Sequence, residues 1–234
     1  MDALAMLALS WCAAGSSDVA IEHPRFALRL SDAAACVSLA AVSDRRTWDL
    51  SARPTPLGEV YVGGRLHKAS AASLDGDALT VRFDGTDTVL SYGLEPAEDW
   101  VVLRLKAIAG ARPDSVTLLR LPAPEGMRIG PRLNAAWDAD TTVCLMAATR
   151  QADCRAGGAP PTLVATTQDA PGPRLEGAAV ALIVCPTPDF KAVARRASHA
   201  FGLLTNEAPD GTPVKDTDLV RGSYWFLDVT EANV

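Results

Sequence analysis

The chain of 234 residues is 48% hydrophobic and 21% charged, with a formal net charge of −6. Disorder requires low hydrophobicity and high net charge, so a folded protein is expected, with enough chain for one large domain or two small ones. The acidic excess speaks against a nucleic-acid binder, because no basic run is longer than the pairs Arg45-Arg46 and Arg195-Arg196. No transmembrane segment is expected either, since the apolar stretch from Ala178 to Cys185 is less than half the ~20 residues that cross a bilayer.

Residues 1–17 form a short apolar run followed by small residues, which is how the later part of a secretory signal reads. Asp2 stands where a positive region belongs, so the expectation is an exported protein (periplasmic, cell-surface or extracellular) whose start lies upstream, or a plain terminus. Leu9-Ser10-Trp11-Cys12 has the outline of a bacterial lipoprotein box, with bulky Trp11 in place of the expected small residue.

From residue 18 to 202 the dominant period is two, broken by turns at short intervals, which predicts antiparallel strands. Phe26–Leu30 alternates, Ser31-Asp32 turns, and Ala35–Val42 follows. Glu59–Val62 leads through Gly63-Gly64, a turn that tolerates positive φ, into Leu66–Leu74. Asp75-Gly76-Asp77 separates that strand from Leu79–Phe83, and Asp84-Gly85 separates it in turn from Thr88–Leu94. In Trp100–Ile108, Leu103, Leu105 and Ala107 are expected on one face, opposite Arg104 and Lys106. Ser115–Leu121, Thr141–Ala148, Thr162–Thr167 and Ala178–Val184 complete about ten strands, enough for one large two-sheet sandwich.

One helix is marked after the strands. Thr187 is a candidate cap, Pro188 fits the first helical position, and Phe190, Val193, Ala194, Ala197 and Phe201 share a face before Gly202 stops the helix. Lys191, Arg195 and Arg196 fall on the opposite face, which predicts a helix lying against the domain with its basic side in water. Residues 203–222 read as a linker. The β-rich run Ser223–Val229, followed by the helix-start residues Thr230 and Glu231, reads as the strand and helix stub that opens a further α/β domain over 223–234.

Tested for chemistry, the chain offers little. His23, His67 and His199 are scattered, with no metal-ligand spacing, and no metal or cofactor site is predicted. Of the five Cys, Cys36, Cys144 and Cys185 fall inside apolar strands, where a free thiol behaves as a small hydrophobe. Cys154 falls in the polar stretch Gln151–Gly158, within reach of Cys144 if the two segments form a hairpin. The best functional hint is Asn134-Ala-Ala-Trp137-Asp138-Ala-Asp140, an aromatic platform beside two acids in a loop, suited to a sugar or a cation. Trp137, Asp138 and Asp140 are therefore candidate carbohydrate contacts, although a D-x-D spacing alone does not make a hydrolytic pair and no catalytic residue is assigned.

The stretch from Phe26 through Leu121 resembles the N-terminal β-supersandwich of the galactose-mutarotase-like kind that precedes the catalytic (β/α)₈ barrel in several bacterial glycoside hydrolases, including the α-galactosidase-like and family 97 types. The segments that carry the likeness are Arg29–Leu39 ahead of Arg45–Leu50, Ser73–Phe83, Leu133–Asp138, Val143–Ala147 and Ala181–Pro188. The resemblance implies a mainly β sandwich that does no catalysis itself, with the catalytic carboxylates on later barrel strands, Asp228 at the end of the first one, and carbohydrate as the ligand. It also implies that Tyr224, Trp225 and Phe226 meet the barrel domain, with Ca²⁺ as the one cation to expect in the full-length protein. The rival expectation is a stand-alone carbohydrate-binding or cell-surface module that stacks sugars on Trp48, Tyr61, Trp100 or Trp137.

Overall fold

A computed structural model describes residues 19–131, 133–167 and 175–203. The chain divides into two units, Met1–Phe190 and Lys191–Val234.

The first unit is mainly β, with every strand pair antiparallel, and its strands fall into two sheets. The smaller sheet runs in the order β1 (Val19–His23), β2 (Phe26–Leu30), β3 (Ala35–Ala41), β4 (Arg46–Asp49), with β5 (Thr55–Pro56) also on β3. Hairpins β6 (Glu59–Val62) to β7 (Arg65–Asp75), and β8 (Ala78–Phe83) to β9 (Val89–Pro96), start the long sheet, and β10 (Trp100–Ala109) and β11 (Ser115–Pro122) extend it at either side. The rest of that sheet is β12 (Arg128–Gly130), β13 (Ala135–Trp137), β14 (Thr141–Ala147), β15 (Ala152–Gly157), β16 (Thr162–Thr167) and β17 (Ala179–Pro186). Its twelve strands run β12-β13-β14-β17-β10-β9-β8-β7-β6-β11-β16-β15.

A twisted sheet of that length does not stay open, because flat stacking would leave one apolar face in water. It doubles over, bringing β15 beside β12 and β14, and β11 near β17, while β1 and β5 of the smaller sheet lie on β7. The core follows from period two. Phe26, Leu28 and Leu30 alternate inward on β2, Leu79, Val81 and Phe83 on β8, Leu90, Tyr92 and Leu94 on β9, and Val180, Leu182 and Val184 on β17. β17 is buried on its other face as well, which is why Ala179–Cys185 reads as an unbroken apolar run.

The glycine turns fall where the sequence places them, with Gly63, Gly64, Gly76 and Gly85 all at positive φ. Two expectations change. Ala107 does not face inward with Leu105, because a bulge after Leu105 shifts the register against β9 and it is Ile108 that packs on the core. The polar stretch around Cys154 is not a loop but β15, with Ala152, Cys154 and Ala156 buried and Arg155 exposed. Three small residues alternating with charged ones are enough to build an edge strand, yet their hydrophobic signal is weak.

The turn between β1 and β2 fastens onto the turn between β9 and β10. His23 Nε2 donates to the Ala97 carbonyl at 2.8 Å while its Nδ1 accepts from the Arg25 N–H at 3.2 Å, so both ring nitrogens are engaged and the ring orientation is fixed. Arg25 donates from Nε to the Glu98 carbonyl at 3.2 Å and pairs with the buried Asp99 carboxylate at 2.7 Å. These contacts tie the two sheets together at one end.

Residues Thr187–Asp189 form a 3₁₀ turn that leads into the helix α1, Phe190–Ala200. Val193 and Ala197 are buried, and Lys191, Arg195 and Arg196 are exposed, as the spacing predicts. Thr187 does not cap it. Its hydroxyl is used elsewhere, by the loop described next. No helix among the described residues is long and apolar enough to cross a membrane.

Candidate functional site

The sequence points to the loop between β13 and β14. Asp138 organises it as an Asx turn, with its Oδ1 accepting from the N–H groups of Asp140 at 2.9 Å and Thr141 at 2.8 Å. Its own N–H donates to the Thr141 carbonyl at 3.0 Å, which closes the turn. The other carboxylate oxygen, Oδ2, takes Arg46 Nη1 at 2.5 Å.

Arg46 comes from the smaller sheet, at the start of β4, and its guanidinium lies 5.0 Å from the ring centroid of Trp48, in cation–π range. The turn just before it contributes Asp44, which accepts from the Thr141 hydroxyl and from the Arg46 N–H. From a third side, the Thr187 hydroxyl donates to the Asp138 carbonyl at 3.0 Å and meets the Thr142 hydroxyl at 2.9 Å, while the Thr187 N–H donates to the Asp140 carbonyl at 2.8 Å. Burial pushes the Asp138 carboxyl up, but the N–H groups of Thr141 and Asp140 and the Arg46 guanidinium outweigh it and hold the group below the usual carboxylate range.

The three candidates thus have different situations. Asp138 is committed to the turn and to Arg46, which is the work of a clasp and not of a proton donor. Asp140 is exposed, and its carboxylate makes no hydrogen bond or ion pair among the described residues. Trp137 is half-buried, and its indole lies across Gly130, where an added Cβ would stand 2.5 Å from its Cζ3. Of the other aromatic candidates, Trp48 and Trp100 are buried in the fold, while Tyr61 is 46% exposed beside Leu66 on the β6–β7 hairpin. Tyr224, Trp225, Phe226 and Asp228 lie outside the described residues, as do residues 1–17 and the 203–234 region beyond Leu203.

Arg46 and Asp44 were not legible as partners of this loop, because Arg46 and Asp138 are 92 residues apart in the chain. The thiols of Cys36, Cys144, Cys154 and Cys185 are buried and form no disulfide, and burial pushes those of Cys36 and Cys154 up to about 12, out of nucleophile range. Among the described residues no group of three or more His, Cys, Asp or Glu is placed to hold a metal ion.

Neither a protein-family model nor a curated protein sequence matches this chain. Among solved structures it is similar to the α-N-acetylgalactosaminidase NagBb from Bifidobacterium bifidum in its GalNAc complex, at 13% identity and a TM-score of 0.50. The match covers 79% of this chain and 38% of that one, so the chain spans well under half the length of its structural neighbour. At that identity the likeness is one of fold alone.

Proposed function

We propose that this chain is a non-catalytic, N-terminal β-sandwich of a carbohydrate-active, glycoside-hydrolase-like protein, which packs on a catalytic (β/α)₈ barrel and shapes one wall of its substrate cleft. The observation that carries this reading is the fold match to NagBb, which takes in most of this chain but only 38% of the enzyme. The candidate loop agrees with it. Hydrolysis of a glycoside needs two carboxyls about 5 to 9 Å apart, one of them holding a proton near neutral pH. Asp138 is instead kept ionised in a turn and an ion pair, so the loop is built to stay in one shape. In this reading Tyr224, Trp225 and Phe226 meet the barrel, and the whole protein is exported.

The test is turnover. The purified 234-residue chain, offered a panel of nitrophenyl glycosides and oligosaccharides, is expected to hydrolyse none of them, and the gene is expected to continue past Val234 with alternating strands and helices. Turnover that disappears in an Asp140→Asn variant would place the chemistry in this sandwich and overturn the reading.

A further inference from the structure

β12 and β13 form the end hairpin of the long sheet, and β12 is paired along one side only. Residues on these strands alternate between two faces. Ala136 is part of the core and Ile129 packs on it, so Trp137, Arg128 and Gly130 stand together on the other face. Arg128 is directly opposite Trp137 in the register. Gly130 is two residues further on, and the absence of a side chain there is what lets the indole lie down: a Cβ at Gly130 would come within 2.5 Å of Cζ3 and 2.9 Å of Cη2. Leu133 borders the same spot, its Cβ 3.6 Å from that point, and is 55% exposed. Arg128 is exposed and has no hydrogen-bond or ion-pair partner among the described residues.

We propose that the Trp137 indole is the platform of a saccharide subsite, on which the apolar face of a pyranose ring stacks while the Arg128 guanidinium donates to its hydroxyls. Four observations select this ligand. The indole rests over the Gly130 backbone and is only half-buried, so part of its ring stays in solvent, and a negative π face attracts the polarised C–H bonds of a sugar ring. A guanidinium without a partner offers planar donors and never loses its proton, which suits neutral hydroxyl acceptors. The platform is one ring wide, bounded by Leu133 and Arg128, whereas a protein partner needs roughly 800 Å² on each side. Finally, Asp138 and Asp140 stand at the foot of the strand and the chain carries a net charge of −6, which repels a phosphate-bearing base stack.

The subsite rests on the carbohydrate-active reading above, but it falls or stands on binding, not on turnover. The full chain, ¹⁵N-labelled at its indoles, is titrated with methyl glycosides of galactose, glucose and mannose and with their disaccharides. At least one sugar is expected to bind saturably and to move the Trp137 indole N–H signal, identified by its loss in Trp137→Tyr. Trp137→Ala is expected to weaken that sugar by about tenfold or more, the loss of one stacked ring. Gly130→Ala, which leaves the indole in place chemically but lifts it off its bed, is expected to weaken it several-fold, and Trp137→Tyr to retain part of the affinity. Binding that survives both Trp137→Ala and Gly130→Ala, or the absence of saturable binding by every sugar tested, overturns the subsite. Either result leaves the non-catalytic sandwich standing, since that reading fails only on hydrolysis.

Discussion

At the scale of single residues, Asp138 carries more of the structure than its place in a surface loop implies. It accepts two backbone N–H groups and one guanidinium, and hydrogen bonds to an ionised acceptor are about twice as strong as neutral ones. Removing the carboxylate orphans the turn donors, whereas removing the arginine leaves the turn intact and ends one ion pair whose arginine is 43% exposed. Asp138→Ala is therefore expected to lower stability by about 1–3 kcal/mol, and Arg46→Ala by less than about 1 kcal/mol. Urea denaturation of the two variants checks the order. A larger loss from Arg46→Ala would mean that the clasp between the sheets, and not the turn, is what Asp138 supplies. The aromatic and the acid of this loop were visible in the sequence as Trp137 and Asp138, because residue type alone announces them. What the sequence hid is how they are used. Gly130 lies under the indole and Arg46 reaches across from another sheet, and neither relation leaves a local pattern.

At the scale of elements, the hairpin β9–β10 joins a bulge to an ion-pair network. Lys106 is the exposed residue at the bulge, on the same side as Arg104, and Gly93 gives its methylenes room to lie across the neighbouring strand, where an added Cβ would stand 2.5 Å from Lys106 Cε. Glu95 then meets Lys106 Nζ at 2.7 Å and takes Arg104 in a fork, at 2.8 and 3.0 Å. The Arg104 hydrogen bonds, helped by Lys106 and opposed by burial, hold the Glu95 carboxyl down at about 2, against an ordinary value of 4.5. A carboxyl depressed in the folded state stabilises the fold above its unfolded pKa and loses that contribution as the pH falls through the folded one. The wild-type chain should thus lose stability between about pH 4.5 and 2 by an amount that Glu95→Gln does not lose. The Glu95 side chain is 40% exposed, so solvent screens the pair, and the difference between the two proteins should shrink in molar salt. Urea midpoints measured across this window at two ionic strengths test it, and parallel curves would remove Glu95 from the acid limb. The long strand β10 was legible because the apolar run Trp100–Leu103 passes into a second half where Leu103 and Leu105 alternate with Arg104 and Lys106. The bulge was not, since a single extra residue shifts the faces without altering composition. The short strands β4, β5, β12 and β13 escaped for a related reason: two to four residues are too few to display a period.

At the scale of the whole molecule, the order of strands matters more than their number. Hairpin neighbours such as β7 and β8 pair across a few residues, but β17 inserts between β10 and β14, and β11 leaves its sequence neighbours to pair with β6 and β16. Nothing local in the sequence dictates those choices, because several apolar strands offer equivalent faces and the register is settled only when the sheet folds over. β17 is where the consequences concentrate. It is paired along both edges, to Trp100–Arg104 on one side and Thr141–Ala147 on the other, and Ala179–Cys185 are buried on both faces. Opening it requires breaking two ladders and hydrating two apolar surfaces at once, so its amides can exchange only when the first unit unfolds as a whole. β1 and β12 are edge strands with a single ladder each and exchange by local fraying. Native-state hydrogen exchange is accordingly expected to rank Val180–Val184 slowest, with protection equal to the global stability, and Ile21 and Ile129 among the fastest strand amides. The same hierarchy bears on function. Under the proposed subsite, a sugar seated on the β12–β13 hairpin would leave the two ladders of β17 undisturbed. Val180–Val184 exchanging as fast as β12 would mean instead that the long sheet opens as separate pieces, with no single centre whose opening equals global unfolding.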